Sequence, residues 1–229
     1  MLVLFIFFLL LSLAVSWKFK SKTKEYAEVP ISSNLSGKEI AEKMLYDHRI
    51  YDVKVIHTEG RLTDHYNPLD KTVNLSSEVY EGRSVMSAAI AAHECGHAVQ
   101  HATAYTMLTL RSTLVPVVNI GNTVINIIFI LGFFGSFVFR MFPVDAVLLV
   151  IIACYALIAL FSVITLPVEF DASNRAVVWL NNQGLVRSHE IEKAKDALKW
   201  AAMTYVVAAL ASLSYLFYYV SMFMGGDRD

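Results

Sequence analysis

Three blocks of this chain carry no charged residue at all, and they limit its fold more than any other feature. They lie within residues 113–139, 146–166 and 201–224. A helix needs about 20 apolar residues to cross the hydrocarbon core of a bilayer, and each block reaches that length. The expected spans are therefore 113–139, 145–166 and 201–224. Residues 1–17 make a fourth, since Met1 to Ser16 is uncharged and Trp17 and Phe19 extend it into the interface. A cleaved leader is the competing reading, because Ala14-Val15-Ser16 loosely resembles a cleavage site. Its basic first region is missing, however, and Lys18, Lys20, Lys22 and Lys24 lie on the wrong side, so an uncleaved anchor is expected.

Between the spans lie two polar stretches, 18–112 and 167–200. Of the 19 Lys and Arg, only Arg140 and Arg228 fall outside them, which leaves 17 inside. The positive-inside rule puts both stretches in the cytoplasm and both termini outside. The protein is expected to be a multi-pass protein of the cell membrane with the lipid bilayer as a partner. The formal net charge of −1 gives no sign of nucleic-acid binding. Of the two cysteines, Cys95 has polar flanks and Cys154 sits in an apolar block, so no disulfide framework is expected.

The first polar stretch has local structure that can be read directly. Ser36 followed by Glu39 reads as a capping box, and Ile40, Met44 and Leu45 give one apolar face, so 38–48 is expected to be helical. Alternation around Val53 and Val55, from Leu62 to Tyr66, and from Val73 to Leu75 suggests a sheet of two or three strands. Asn67-Pro68-Leu69-Asp70 turns between the last two. From Ser84 to about Tyr105 the sequence is Ala-rich and helical.

Inside that helix, residues 93–97 read His93-Glu94-Cys95-Gly96-His97. Histidines at i and i+4 share one helix face, close enough for both imidazoles to hold one zinc ion. Glu94, next to the first of them, is placed to take a proton from a zinc-bound water and pass it to the leaving amine. Chance alone could supply three fixed positions, but the flanking alanines provide the helix the motif needs. Gly96 costs a helix stability unless packing or function requires it. Cys95 lies two residues after His93 and points away from the metal.

The third ligand separates the classes of such enzymes. In metzincins the motif continues with Gly and His three and six residues after its second His. Gln100 and Thr103 stand there instead. His101 lies about 6 Å further along the helix axis than His97, too far to close the same tetrahedron. A downstream acid remains, and Glu169 is the carboxylate nearest the end of the third span. Glu169 and Asp171 could otherwise be ordinary acids in the first turn of a helix.

The sequence resembles the YugP-type neutral zinc metallopeptidases, a family of bacterial membrane proteins. The matching segments are Leu62-Thr63-Asp64-His65-Tyr66, the run Ala-Ala-His-Glu-Cys-Gly-His-Ala at 91–98, Leu110-Arg111-Ser112, and Thr165 through Ser173. The resemblance covers nearly the whole chain and extends, more distantly, to HtpX-type and CAAX-prenyl membrane proteases. In those relatives the third ligand is the Glu of a Glu-x-x-Ala-Asp pattern. Glu169 and Ala172 match it, which implies Glu169 as ligand. The closing Asp normally holds a zinc histidine from behind, and Ser173 stands there in this chain. Asp171 is about 200° round the helix from Glu169 and does not simply replace it. The relatives also imply an edge strand near Leu62 to Tyr66 that takes extended substrate, with His65 or Tyr66 as oxyanion donors. A plain hairpin facing water fits the same residues. Arg175 is a candidate to neutralise the Glu94 and Glu169 cluster, to bind a substrate carbonyl, or to bind headgroups.

The expected fold is mainly α: a four-span helical membrane protein with a small α+β zincin-like cytoplasmic metalloprotease region. The sheet and the His-Glu helix belong to 18–112, and the third zinc ligand to the helical segment 167–200. The expected function is a zinc metalloendopeptidase holding one Zn2+ and cutting a protein or peptide substrate, expected to be a membrane protein or membrane-proximal segment. A homo-oligomer is compatible with the sequence. Two rival readings stand beside it. A site-2-type intramembrane protease carries its motif inside a span with an Asp ligand in a later one. Here charged residues run through 38–83 and no later span holds an Asp. A zinc-binding scaffold that cuts nothing would have no need of Glu94. Asn119, Asn122 and Asn126 form a polar stripe on the second span, read as helix–helix glue and less readily as a substrate path.

Overall fold

The structure is a computed structural model that describes residues 1–134 and 143–225. The end of the expected second span, 135–139, together with Arg140 and Arg228, lies outside the described residues. In chain order the elements are α1 (Leu2–Ala27), α2 (Gly37–Asp47), β1 (Lys54–Thr58), β2 (His65–Asn67), β3 (Thr72–Ser76) and the short α3 (Ser77–Tyr80). They continue with α4 (Val85–Ala102), α5 (Thr106–Phe134), α6 (Val144–Asn182) and α7 (Ser188–Gly225).

The chain forms two compact units. The first comprises Met1–Leu13, Leu110–Leu166 and Tyr205–Asp229. Its helical stretches belong to α1, α5, α6 and α7, the four helices among the described residues that are long and apolar enough to cross a membrane. Its interior is narrow: Leu148, Ile151 and Tyr219 are buried, and Tyr155 stacks on Tyr219 with ring centroids 5.4 Å apart. Large apolar side chains point outward instead, with Val3 81% exposed, Ile120 65% and Phe217 68%. In water such a surface would forgo about 25 cal/mol per Å² of burial, and contiguous apolar area of this kind marks a lipid or protein partner. Asn119, Asn122 and Asn126 are all exposed on α5. Within the described unit they line no buried seam.

The second unit comprises Ala14–Thr109 and Pro167–Thr204. Its sheet has the order β1-β3-β2, with β1 parallel and β2 antiparallel to β3. Val73 and Leu75 of the central strand are fully buried against Ile40, Met44, Val85 and the alanines of α4. The capping box of α2 is present in both directions, Glu39 N donating to Ser36 Oγ at 3.2 Å and Ser36 N to Glu39 Oε2 at 2.7 Å. Ser84 caps α4 through the Ser87 amide at 3.1 Å.

Two expected elements are shorter than the alternation implied. The strand read at Leu62 to Tyr66 begins only at His65. Gly60 and Leu62 both sit at positive φ, 101° and 56°, a geometry that breaks an extended run. The helix read to Tyr105 ends at Ala102, because Ala104 at φ 49° turns the chain back and the Tyr105 amide donates to the Gln100 carbonyl.

Candidate metal centre

Helix α4 carries His93, Glu94 and His97, and α6 carries Glu169; all four belong to the second unit. Gly96 brings the two helices together. A Cβ built there would stand 2.6 Å from the carbonyl oxygen of Ala172, so only glycine permits this approach. The packing reason that a helical Gly96 requires is therefore the contact with the backbone of α6.

That approach sets Glu169 against both histidines. Its Oε2 lies 3.4 Å from His93 Nε2 and 3.7 Å from His97 Nε2. The ligand atoms of these three residues all lie within 4.8 Å of one another, and they form the metal-capable group found among the described residues. Donors about 2.0–2.2 Å from a tetrahedral zinc stand about 3.3–3.6 Å apart, close to the two Glu169–histidine separations, and the two-imidazole, one-carboxylate donor set suits zinc. Glu169 is only 3% exposed, which makes an unpartnered carboxylate there costly. Burial pulls the His97 imidazolium down, but the close approach of Glu169 and the charges of Glu94 and Glu169 outweigh it. Its pKa ends above the ordinary 6.5.

The far nitrogens of the histidines face protein groups. His93 Nδ1 lies 3.1 Å from Ser173 Oγ. His97 Nδ1 lies 3.0 Å from Gln100 Oε1. Gln100 Nε2 in turn donates to the Val168 carbonyl and to Asp171 Oδ2, both at 2.8 Å. Arg175 Nε donates to the same Asp171 oxygen at 2.6 Å. The structure thus sets Arg175 against Asp171, and Asp171 reaches His97 only through Gln100.

Glu94 is almost buried, and its Oε2 accepts the Tyr66 amide proton at 3.0 Å. The edge strand β2 and the acid beside His93 are therefore in direct contact. Tyr66 extends its hydroxyl to His101 Nδ1 at 2.7 Å, while His65 is exposed and turns Nδ1 to the Thr63 carbonyl at 2.7 Å. Asp64 accepts from the amide and hydroxyl of Ser76, which ties the loop before β2 to the end of β3. Burial, together with the nearby charge of Glu94, pushes the Asp64 carboxyl up despite those bonds. Cys95 is fully buried, its thiol donates to the Ala41 carbonyl at 3.5 Å, and burial pushes its pKa up.

Two features escaped the sequence reading. In the sequence Gln100 excludes a metzincin extension, and a lone amide three residues after His97, on the same face of an Ala-rich helix, is also a signal of a partner for that histidine. The Tyr66 backbone contact with Glu94 leaves no trace in side-chain identity.

The family described as "Putative neutral zinc metallopeptidase" matches residues 1–224. The chain is 39% identical over 231 residues to "Putative membrane protease YugP" of Bacillus subtilis (strain 168), covering 99% of each chain. No solved structure matches it significantly.

Proposed function

The chain belongs to this neutral zinc metallopeptidase family, and from that premise we propose that it is a membrane-embedded zinc metalloendopeptidase. Its substrate is a membrane protein or a membrane-proximal segment, and its site faces the cytoplasm. The observation that carries the reading is the convergence of His93 Nε2 and His97 Nε2 on Glu169 Oε2, with the Glu94 carboxylate on the same helix.

His93, His97 and Glu169 hold the zinc. Bound there, the metal supplies a Lewis acid and brings the pKa of water down to about 7. Glu94 is the general base: its carboxylate takes a proton from the attacking water and returns it to the leaving amine. The Tyr66 amide, 3.0 Å from Glu94 Oε2, orients that carboxylate. Among the described residues β2 pairs only with β3, and the extended peptide is placed along its other edge, beyond the Tyr66 amide that Glu94 occupies. Tyr66, with its hydroxyl paired to His101, and the exposed His65 are the donors proposed for the developing oxyanion.

The membrane placement rests on the four long apolar helices, and the cytoplasmic side on the 17 basic residues in 18–112 and 167–200. The motif helix α4 is not one of the four candidate spans, which argues against the site-2-type intramembrane reading. The test is cleavage of a membrane-proximal model peptide by the purified full chain. Glu94→Gln should reduce the rate by about 10²–10⁴-fold while zinc is retained. Undiminished cleavage by that variant would remove Glu94 from the mechanism, and a wild-type protein that holds zinc and cuts nothing would favour the scaffold.

A further inference from the structure

We propose that Gln100 is a positioning residue that fixes the tautomer of His97, and that Asp171 acts on His97 through it. The inference rests on the zinc-peptidase reading and adds to it a group that touches neither metal nor substrate.

Gln100 is 0% exposed, and a buried amide is costly unless its polar atoms are satisfied. Its two N–H groups face two oxygens that can only accept, the Val168 carbonyl and the Asp171 carboxylate, each at 2.8 Å. Arg175 Nε donates to that same carboxylate oxygen at 2.6 Å, which holds it in place. Turning the amide over would press its carbonyl oxygen against both acceptors. The orientation is therefore determined by its surroundings: Nε2 faces α6, and Oε1 faces His97.

Oε1 is an acceptor only, so the His97 Nδ1 that it meets at 3.0 Å must carry the proton. His97 Nε2, the atom turned toward Glu169, then keeps its lone pair for a metal. The bond to the Asp171 carboxylate also polarises the amide and strengthens Oε1 as an acceptor for the Nδ1 proton. His93 has no such determinant. Its partner is the Ser173 hydroxyl, which can donate or accept. The bond to Val168 has a second consequence. It fixes Gln100 to the backbone one residue before Glu169, so a single side chain sets two of the three donor groups in register.

The experiment uses the full chain purified in detergent. Zinc is titrated against a chromogenic chelator, and cobalt(II) is bound separately for its visible absorption spectrum. Gln100→Met keeps the length of the side chain and removes its polarity. It should weaken zinc about 10–100-fold, the range for losing a partner behind a metal-ligating histidine, and alter the cobalt bands. Asp171→Ala should weaken zinc in the same direction but less. The double variant should be no weaker than Gln100→Met alone, because Asp171 acts through Gln100.

Wild-type affinity and an unchanged cobalt spectrum in Gln100→Met would overturn the proposal and make Gln100 a packing residue. Should that variant fail to fold, Asp171→Ala decides, since Asp171 is half-buried at the edge of the site; wild-type affinity there would overturn it equally. The parent reading fails by a different result, zinc retained by His97→Ala.

Discussion

The carbonyl oxygen of Ala172 lies only 2.6 Å from where a β-carbon on Gly96 would stand. Two helices far apart in sequence meet backbone to backbone at the centre of the zinc motif, and Glu169 and Ser173 reach the histidines because they do. Helix propensity alone says that Gly96→Ala should stabilise by about 1 kcal/mol. The clash is with backbone rather than a flexible side chain, and overpacking of that kind costs about 1–3 kcal/mol. The second effect wins. Gly96→Ala should lower the thermal midpoint of the purified protein and weaken zinc binding together. A variant with higher stability and unchanged zinc affinity would show that the helices do not touch there.

Acid should release the metal early. His97 has a pKa above 6.5 because the approach of Glu169 and the charges of Glu94 and Glu169 outweigh burial. As pH falls through that raised value, a proton occupies Nε2 and competes with zinc, so affinity should begin to fall above pH 6.5. The sign for the metal-free fold is opposite. The charged His97 stabilises it fully below the unfolded-state value, and that contribution is lost as pH rises through the folded one. Zinc titrations at a series of pH values check this. An inflection below 6.5 would show that Glu169 does not hold the imidazole.

The polar stretches should face the cytoplasm. Lys54 and Lys71 are exposed at the start of β1 and just before β3. Cysteines introduced singly at these positions in intact cells should resist a membrane-impermeant thiol reagent and react once the membrane is opened. Labelling in intact cells would invert the topology.

How much of this was readable depended on the range of the interaction. The capping box at Ser36 and Glu39 and the two histidines one turn apart are local, so spacing alone predicts them. The apolar blocks are legible because a bilayer sets their length. The pairing of β1 with β3, parallel and out of chain order, cannot be inferred from alternation. Positive φ at Leu62 and Ala104 shortened two elements whose side-chain patterns suggested continuation. Around the candidate site, family likeness implies an Asp at position 173 as partner of a zinc histidine; the serine that stands there departs from the pattern, and its contact with His93 is seen only in the structure. The Gln100 contact with Val168 spans 68 residues and became visible only once Gly96 had brought the helices together.

Metal analysis of the purified full chain tests the central claim most directly. Wild type should hold about one zinc per chain, and Glu94→Gln should hold the same amount, since Glu94 is not a ligand in this account. His93→Ala, His97→Ala and Glu169→Ala should each lose most of it while remaining folded. Near-stoichiometric zinc in a His93→Ala/His97→Ala double variant would contradict the account, because the metal would then lie somewhere other than between α4 and α6.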